Sequence, residues 1–318
     1  MQHYDNTDLR RAATAAIRAP SMHNSQPWHF RLRNGTVEVL ADRSRQLATA
    51  DTSGWALRIA CGAATFNARL ALATNSTPAI VLFRPDDHDT DLIARLTPDT
   101  RRPASYTETD LYAAVEYRRS HRLPFWPDPV PPEVRQRLIE AARAESCWVD
   151  LLVGMTALTG FAEIAQSADR VLRRDERYQA ELSTWVHAEP SPDGIPVTAG
   201  APTAEPQDLL PQRPISTRTR APGRDYEPEP LIAILGTPAD RAYDQFIAGQ
   251  AMQRVLLTAT DASLATSIIS QPIEVPAARE QLRRSLNRTG TPQIALRIGY
   301  GHPGTPTPRR PLTEVIVD

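Results

Sequence analysis

One order of elements occurs twice along this chain. Residues 7–18 carry Leu9, Ala12, Ala13, Ala16 and Ile17 at helical spacing and stop at Pro20; residues 132–145 are amphipathic in the same way. Each helix runs into a tryptophan-bearing strand, 28–33 or 147–153. Each unit later has a long apolar helix, 54–75 or 240–263, followed by a short strand, 77–85 or 266–270. A repeat of this length is too long for a solenoid. It predicts an α+β chain of two fused halves, 1–106 and 107–318, related by a pseudo-twofold, the first half abbreviated.

The repeat has degenerated unevenly. After the first helix stands "APSMHNSQPWHF" (19–30), a polar corner hinged by Pro20 and Pro27. The matching stretch, "EAARAESCWVDLL", has lost those hydroxyl and amide groups. Conversely, "YRRSHR" (117–122) has no counterpart before residue 7. Each half keeps one portion of a site, so a complete site needs both.

The remaining elements follow from local signals. Thr7 or Asp8 can cap the first helix, and Asn34-Gly35 predicts a hairpin between two strands. A short helix is expected near 89–96 in a polar segment, and a Thr-x-x-Asp cap opens a helix at 107. Residues 155–187 read as helix in two pieces and 292–301 as a strand. Residues 188–230 are crowded with Pro, Gly and Thr; a loop of that length inside a compact chain is either a lid or disordered.

Composition narrows the function classes. The 318 residues carry a formal net charge of −1, which favours neither nucleic acid nor an acidic membrane as partner. All 36 basic residues are arginine, so there is no lysine for a Schiff base or a phosphate-loop cation. Cys61 and Cys147 read as buried free thiols, and the histidines have no metal spacing. "MQHYDNTDLRR" lacks the apolar core of a secretory signal and no apolar run could span a bilayer, so a soluble, cytoplasmic protein is expected. No nucleophile elbow or Gly-x-Gly-x-x-Gly stands at a strand end.

Four constellations could carry chemistry. Arg118, Arg119, Ser120, His121 and Arg122 offer guanidinium and hydroxyl donors for a phosphate, or form a solvated basic turn. Arg309 and Arg310 offer the same in the tail. The 20–28 corner offers amides and hydroxyls to a flat heterocycle, or is simply a polar approach to the hairpin. "SQPIE" (270–274) places Pro272 and Glu274 just after a strand.

Taken together these motifs resemble the FMN-dependent nitroreductase superfamily, which combines an Arg-x-Ser-x-Arg/Lys motif, a Pro-Ser-x-x-Asn-x-Gln-Pro-Trp motif, a Pro-Ile-Glu segment and a basic residue near the C-terminus. The matches are Arg118, Ser120 and Arg122; Pro20, Ser21, Asn24, Gln26, Pro27 and Trp28; Pro272, Ile273 and Glu274; and Arg309 or Arg310. The reversed motif order looks like the mycobacterial Acg-type branch, in which one chain mimics a dimer. The resemblance implies a nitroreductase-like fold and one FMN site. Arg118, Arg119, Ser120 and Arg310 or Arg309 would hold the phosphate, and Arg122 would reach the pyrimidine edge of the ring. Pro20, Ser21, Met22, Asn24 and Gln26 would approach from the other half, with Gln271–Glu274 along the N5 side. No protein acid or base is then required. Two functions follow: an oxidoreductase using NAD(P)H and a small flat acceptor, or a flavin store whose 188–230 segment closes the substrate slot. Further dimerisation is left open.

Overall fold

Helix α1 (Asn6–Ala16) is opened by Asp5, two residues before the earlier of the two expected caps, Thr7. Its carboxylate accepts from the amides of Thr7 and Asp8, and Asp8 accepts from the Asp5 amide in return. The computed structural model describes residues 3–84, 88–202, 208–213, 215–216 and 229–318. Strands β1 (Trp28–Arg33) and β2 (Thr36–Ala41) form the expected hairpin. Asn34 and Gly35 at its tip have φ of 52° and 68°, as a two-residue turn matched to strand twist requires. Helix α2 (Trp55–Thr74) and strand β3 (Ala79–Phe83) follow.

The short helix expected at 89–96 is instead strand β4 (Leu92–Pro98). Leu92, Ala94 and Leu96 are buried, and β4 sits between β2 and β3, antiparallel to both. Four apolar residues among "LIARL" suit helix or strand, and the two open neighbouring edges decide between them.

Helix α3 (Tyr106–Tyr117) is capped by Ser105 with Glu108 reciprocating, not by Thr107 and Asp110, and it ends before the Arg-x-Ser run. Next come α4 (Pro132–Arg143), β5 (Trp148–Leu152), α5 (Met155–Arg174) and α6 (Glu176–Thr184). The short strands β6 (Val186–His187) and β7 (Ile195–Pro196) pair in parallel. Strand β8 (Leu231–Thr237), helix α7 (Ala242–Asp261) and β9 (Ala265–Ile268) lead to α8 (Gln271–Glu274), α9 (Pro276–Ser285), β10 (Thr291–Gly299) and α10 (Leu312–Val315).

Two four-stranded antiparallel sheets result, ordered β1-β2-β4-β3 and β5-β8-β10-β9. The orders are the same once β1, β2, β3 and β4 are matched to β5, β8, β9 and β10. Helices α2 and α7, each of 20 residues, occupy matching places between the second and third strands.

These two helices pack on each other through matching residues. A Cβ on Gly62 would stand 2.1 Å from the Phe246 carbonyl oxygen, and one on Gly249 would stand 2.1 Å from the Ile59 carbonyl oxygen. Gly62 and Gly249 are each the eighth residue of their helix, and Ile59 and Phe246 each the fifth, counting from Trp55 and Ala242. Contact i to j is thus repeated as j′ to i′, the mark of a twofold interface, here within one chain. A single core of Trp28, Phe30, Val39, Leu57, Leu72, Phe246, Leu256 and Leu296 joins both sheets to this helix pair.

Gly62→Ala and Gly249→Ala test the crossing. Helix propensity alone would favour alanine by about 1 kcal/mol. The backbone contact predicts the opposite sign, a loss of about 2 kcal/mol or more in denaturant unfolding, similar for the two variants. A neutral or stabilising result in either would show that the helices can part without penalty.

Candidate functional site

The corner at 20–26 is built from unusual backbone. Ser21 opens a single 3₁₀ turn, and His23, Asn24 and Gln26 follow with φ of 53°, 57° and 52°. Three non-glycine residues in the left-handed region within four positions store strain that surrounding contacts must hold. Those contacts are the corner's own amides. The Asn24 side chain donates to the Gly194 carbonyl at 2.9 Å and to the Pro308 carbonyl at 3.0 Å. Gln26 donates to the Pro192 carbonyl at 3.0 Å and accepts from the Arg310 amide at 2.9 Å. Ser21 Oγ accepts from the Gln26 amide at 2.9 Å.

Beside this corner lies a cavity that is partly open to solvent. One side is Pro20–Asn24 with Trp55, Ala56, Ile59 and Ala60 of α2. The other is Arg118, Ser120, Arg122, Met252, then Ser267, Ile268 and Ser270 at the β9 end, with Ile294, Thr307 and Arg309. Ile195, Arg213 and Ile215, from the described part of 188–230, complete the wall. The rest of the segment once expected as a lid (203–207, 214 and 217–228) lies outside the described residues. The cavity thus draws on both halves of the chain.

Its electrostatics are one-sided. Arg118 is 4% exposed, its Nε has no partner, and its Nη2 reaches only the Arg18 carbonyl at 3.3 Å. Arg122 donates to the Ala199 carbonyl at 3.2 Å. Arg309 donates to Asn24 Oδ1 at 3.0 Å and to backbone carbonyls, and its Nε is also unpartnered. Among the described residues none of the three meets a carboxylate. Burial lowers the Arg118 and Arg122 guanidiniums to about 10 and Arg309 to about 9. Neighbouring charge adds to this: Arg309 is opposed by Arg118, Arg118 by Arg119 and Arg122, and Arg122 by Arg213. A row of unneutralised cations lining a cavity is a site for an anion.

Arg213 is the exception in this row. It is ion-paired with Glu274, donates to Ser270 Oγ at 2.8 Å, and its Cζ stands 5.9 Å from the Tyr178 ring centroid. Burial opposes its charge, but Glu274 and Tyr178 outweigh this and hold its pKa up. The neighbouring His23, 3.0 Å from Arg213, is kept neutral by burial and then by Arg213 and Arg122.

Of the residues expected at the site, Pro20, Ser21, Met22, Asn24, Arg118, Ser120, Arg122 and Arg309 line the cavity. The others do not. Arg119 turns outward and donates to the Arg118 carbonyl at 3.0 Å. Gln26 is consumed by the 192 loop and the tail. Arg310 points to the opposite side of the tail from Arg309 and pairs with buried Asp42 at 3.2 Å, so Arg309 is the arginine facing the cavity. Pro272 and Ile273 are buried, and the amides of Ile273 and Glu274 are spent on the Ser270 carbonyl at 2.8 and 2.9 Å. Gln271 contacts Asp169, and Glu274 serves Arg213 and Tyr178. The segment reaches the cavity through Ser267, Ile268 and Ser270 instead. Sequence reasoning missed Arg213, whose only signal was a lone arginine in a proline-rich stretch. It also missed His23, Trp55 and Met252, which look like ordinary corner and core residues. No metal-binding cluster and no membrane-spanning helix occurs among the described residues.

Two matching antiparallel sheets, a twofold-related helix pair and an arginine-lined cavity between the halves define a fused two-repeat α+β protein. Residues 115–301 match the Nitroreductase family, and the chain belongs to it. Rv3131 of Mycobacterium tuberculosis, provisionally named an NAD(P)H nitroreductase, is 32% identical over 320 residues, 98% of this chain and 92% of the relative. The acg protein of the same organism, named likewise, is 30% identical over 317 residues, 96% of this chain and 94% of that one. Among solved structures, the FMN-dependent nitroreductase NfnB of Mycobacterium smegmatis in complex with NADPH aligns with 65% of this chain and 96% of its own. Its identity is 16% and its TM-score 0.43.

Lowered guanidinium pKa values mean that charge in the cavity opposes folding at every pH below about 9, an opposition that begins to fade at pH 9–10 and is gone only above the ordinary arginine value. An anion should relieve it. At pH 8 inorganic phosphate is expected to raise Tm. Arg118→Met should leave the Tm of ligand-free protein unchanged or higher and shrink the phosphate increment. A lower Tm for the ligand-free variant would mean that Arg118 serves the fold and not a ligand.

Proposed function

We propose that the cavity holds FMN at the seam between residues 1–106 and 107–318, and that the protein is an FMN-dependent NAD(P)H oxidoreductase acting on a small flat acceptor. The observation that carries this reading is a set of guanidiniums that meet no carboxylate among the described residues, buried Arg118 and half-buried Arg122 and Arg309, beside a corner of the other half. The residues fit the cofactor's two chemistries. Arg118 and Arg309, with unpartnered Nε atoms, and the Ser120 hydroxyl suit a phosphate dianion. Ile59, Ala60, Ile268 and Ile294 suit the faces of a flat ring.

Bound FMN supplies hydride chemistry through its ring N5, so the chain's own task is to bind, orient and exclude water. Arg122 would supply positive charge to the electron-rich edge of a flavin ring held in this cavity and so would favour its reduced, anionic form. Ser21 accepts from the Gln26 amide and keeps its own proton to donate to a ligand oxygen. His23, held neutral, adds no charge.

A second reading is supported by one specific contact. Arg213 ties the 208–213 stretch to Glu274 and Ser270 at the cavity wall. A wall fixed in that way leaves little room for a second reactant and favours storage of FMN over turnover.

Purified protein is expected to bind one FMN per chain. Arg118→Ala and Ser21→Ala should each weaken retention about tenfold or more, read by equilibrium dialysis. Anaerobic stopped flow then separates the two functions. NADH or NADPH should bleach the bound flavin and an acceptor should restore it. A flavin bleached by dithionite but by neither nicotinamide would replace the oxidoreductase reading with storage; a chain that stays colourless in excess FMN would sink both.

A further inference from the structure

The two sheets have four edge strands: β1 and β3 in one, β5 and β9 in the other. A free edge offers unpaired amides and carbonyls to other chains, and native proteins guard it. Three of these edges are guarded. The C-terminal tail lies along β1 through a parallel bridge of Phe30 with Ile316, and the Val317 amide donates to the Phe30 carbonyl at 2.9 Å. Strand β5 carries Asp150, which accepts from Arg288 Nε at 2.8 Å while Arg288 covers the Trp148 ring at 5.3 Å. Strand β9 is covered by the Arg-x-Ser run through a bridge of Ser120 with Thr266, the His121 amide donating to the Thr266 carbonyl at 2.7 Å.

Strand β3 is the exception. It reads Ala79-Ile80-Val81-Leu82-Phe83, with no charge, no polar group and no proline. Such an uninterrupted apolar run suits a strand covered on both faces and both sides. Yet Ile80 is 49% and Leu82 46% exposed, and among the described residues no segment pairs with the outer side of β3. The internal repeat sharpens the mismatch. Strand β3 matches β9, where an extended segment supplies the cover, and the first half has no Arg-x-Ser run to do the same. On its other face Phe83 meets Phe246 and Tyr243 with ring centroids 5.1 and 5.6 Å apart, beside a shallow groove that includes Ile247; Tyr243 is 54% exposed.

We propose that the outer edge of β3 is a self-association surface, and that its occupant is β3 of a second copy of this chain, antiparallel about a twofold at Val81. The strand is self-complementary in that arrangement. Ile80 of one copy opposes Leu82 of the other, twice, on the exposed face, and Ala79 opposes Phe83 on the face toward the groove. Every cross-strand pair is apolar. The twofold closes after two copies, joining two four-stranded sheets into one of eight and leaving no bare β3 edge.

Sedimentation velocity on the full, cofactor-loaded chain tests this across the micromolar to near-millimolar range. The wild type is expected to shift reversibly from monomer to dimer, with amide exchange at residues 79–83 slowing as concentration rises. The double variant Ile80→Lys, Leu82→Lys places like charges opposite each other across the twofold and should weaken the dimer about tenfold or more. Both side chains are exposed, so its Tm and flavin content should not change. As a milder check, Leu82→Thr should weaken association in the same direction. A wild type that stays monomeric throughout, or a dimer that both variants leave intact, overturns the proposal.

Discussion

The close crossing of α2 and α7 is the contact on which the rest of the molecule depends. Gly62 and Gly249 let two helix backbones meet at a distance that any side chain would prevent. Because Ile59 and Phe246 receive them at equivalent places, the contact generates a twofold axis inside one chain. Each sheet then lies with its own helix, and the start of α2 arrives beside the end of β9. A cavity between the halves is a consequence of that geometry before any functional residue is considered.

The same axis explains why one side of the molecule carries a furnished site and the other does not. Ala56, Ile59 and Ala60 line the arginine cavity; their counterparts by position in α7 are Tyr243, Phe246 and Ile247. On that side the Tyr243 and Phe246 rings pack against Phe83, where the first side has Ala56 and Ile59. The polar corner and the Arg-x-Ser run are each present once, and they meet on the open side. Duplication supplied two places, and only one of them received both motifs.

Within that place stability and ligand binding pull in opposite directions. Arg118 is buried and Arg122 and Arg309 half-buried, with no carboxylate partner among the described residues, an arrangement that costs the fold and that an anion would offset. Arg310 and Arg213 show the alternative. One pairs with Asp42 and the other with Glu274, and both act as fasteners, of the tail and of the 208–213 stretch. Chemically identical side chains thus divide into ion-paired and unpaired sets according to whether an acid stands within reach among the described residues.

Much of this was legible in the chain itself. The duplication, the hairpin at Asn34-Gly35, the long helices and the two single-copy motifs follow from periodicity, turn chemistry and capping, all of which act over a few residues. The family resemblance rested on those same local runs. What the sequence could not decide depends on partners far away in the chain. Leu92–Pro98 became a strand because β2 and β3 left edges on both sides. Gln26 became a brace because Pro192 and Arg310 come to it. Arg309, and not Arg310, faces the cavity because Asp42 waits on the other side. Local pattern determined most of the elements and which residue types a site could use; only tertiary packing made Leu92–Pro98 a strand and assigned each charged or amide group its partner, since edge pairing and desolvation are properties of neighbours brought together by the fold.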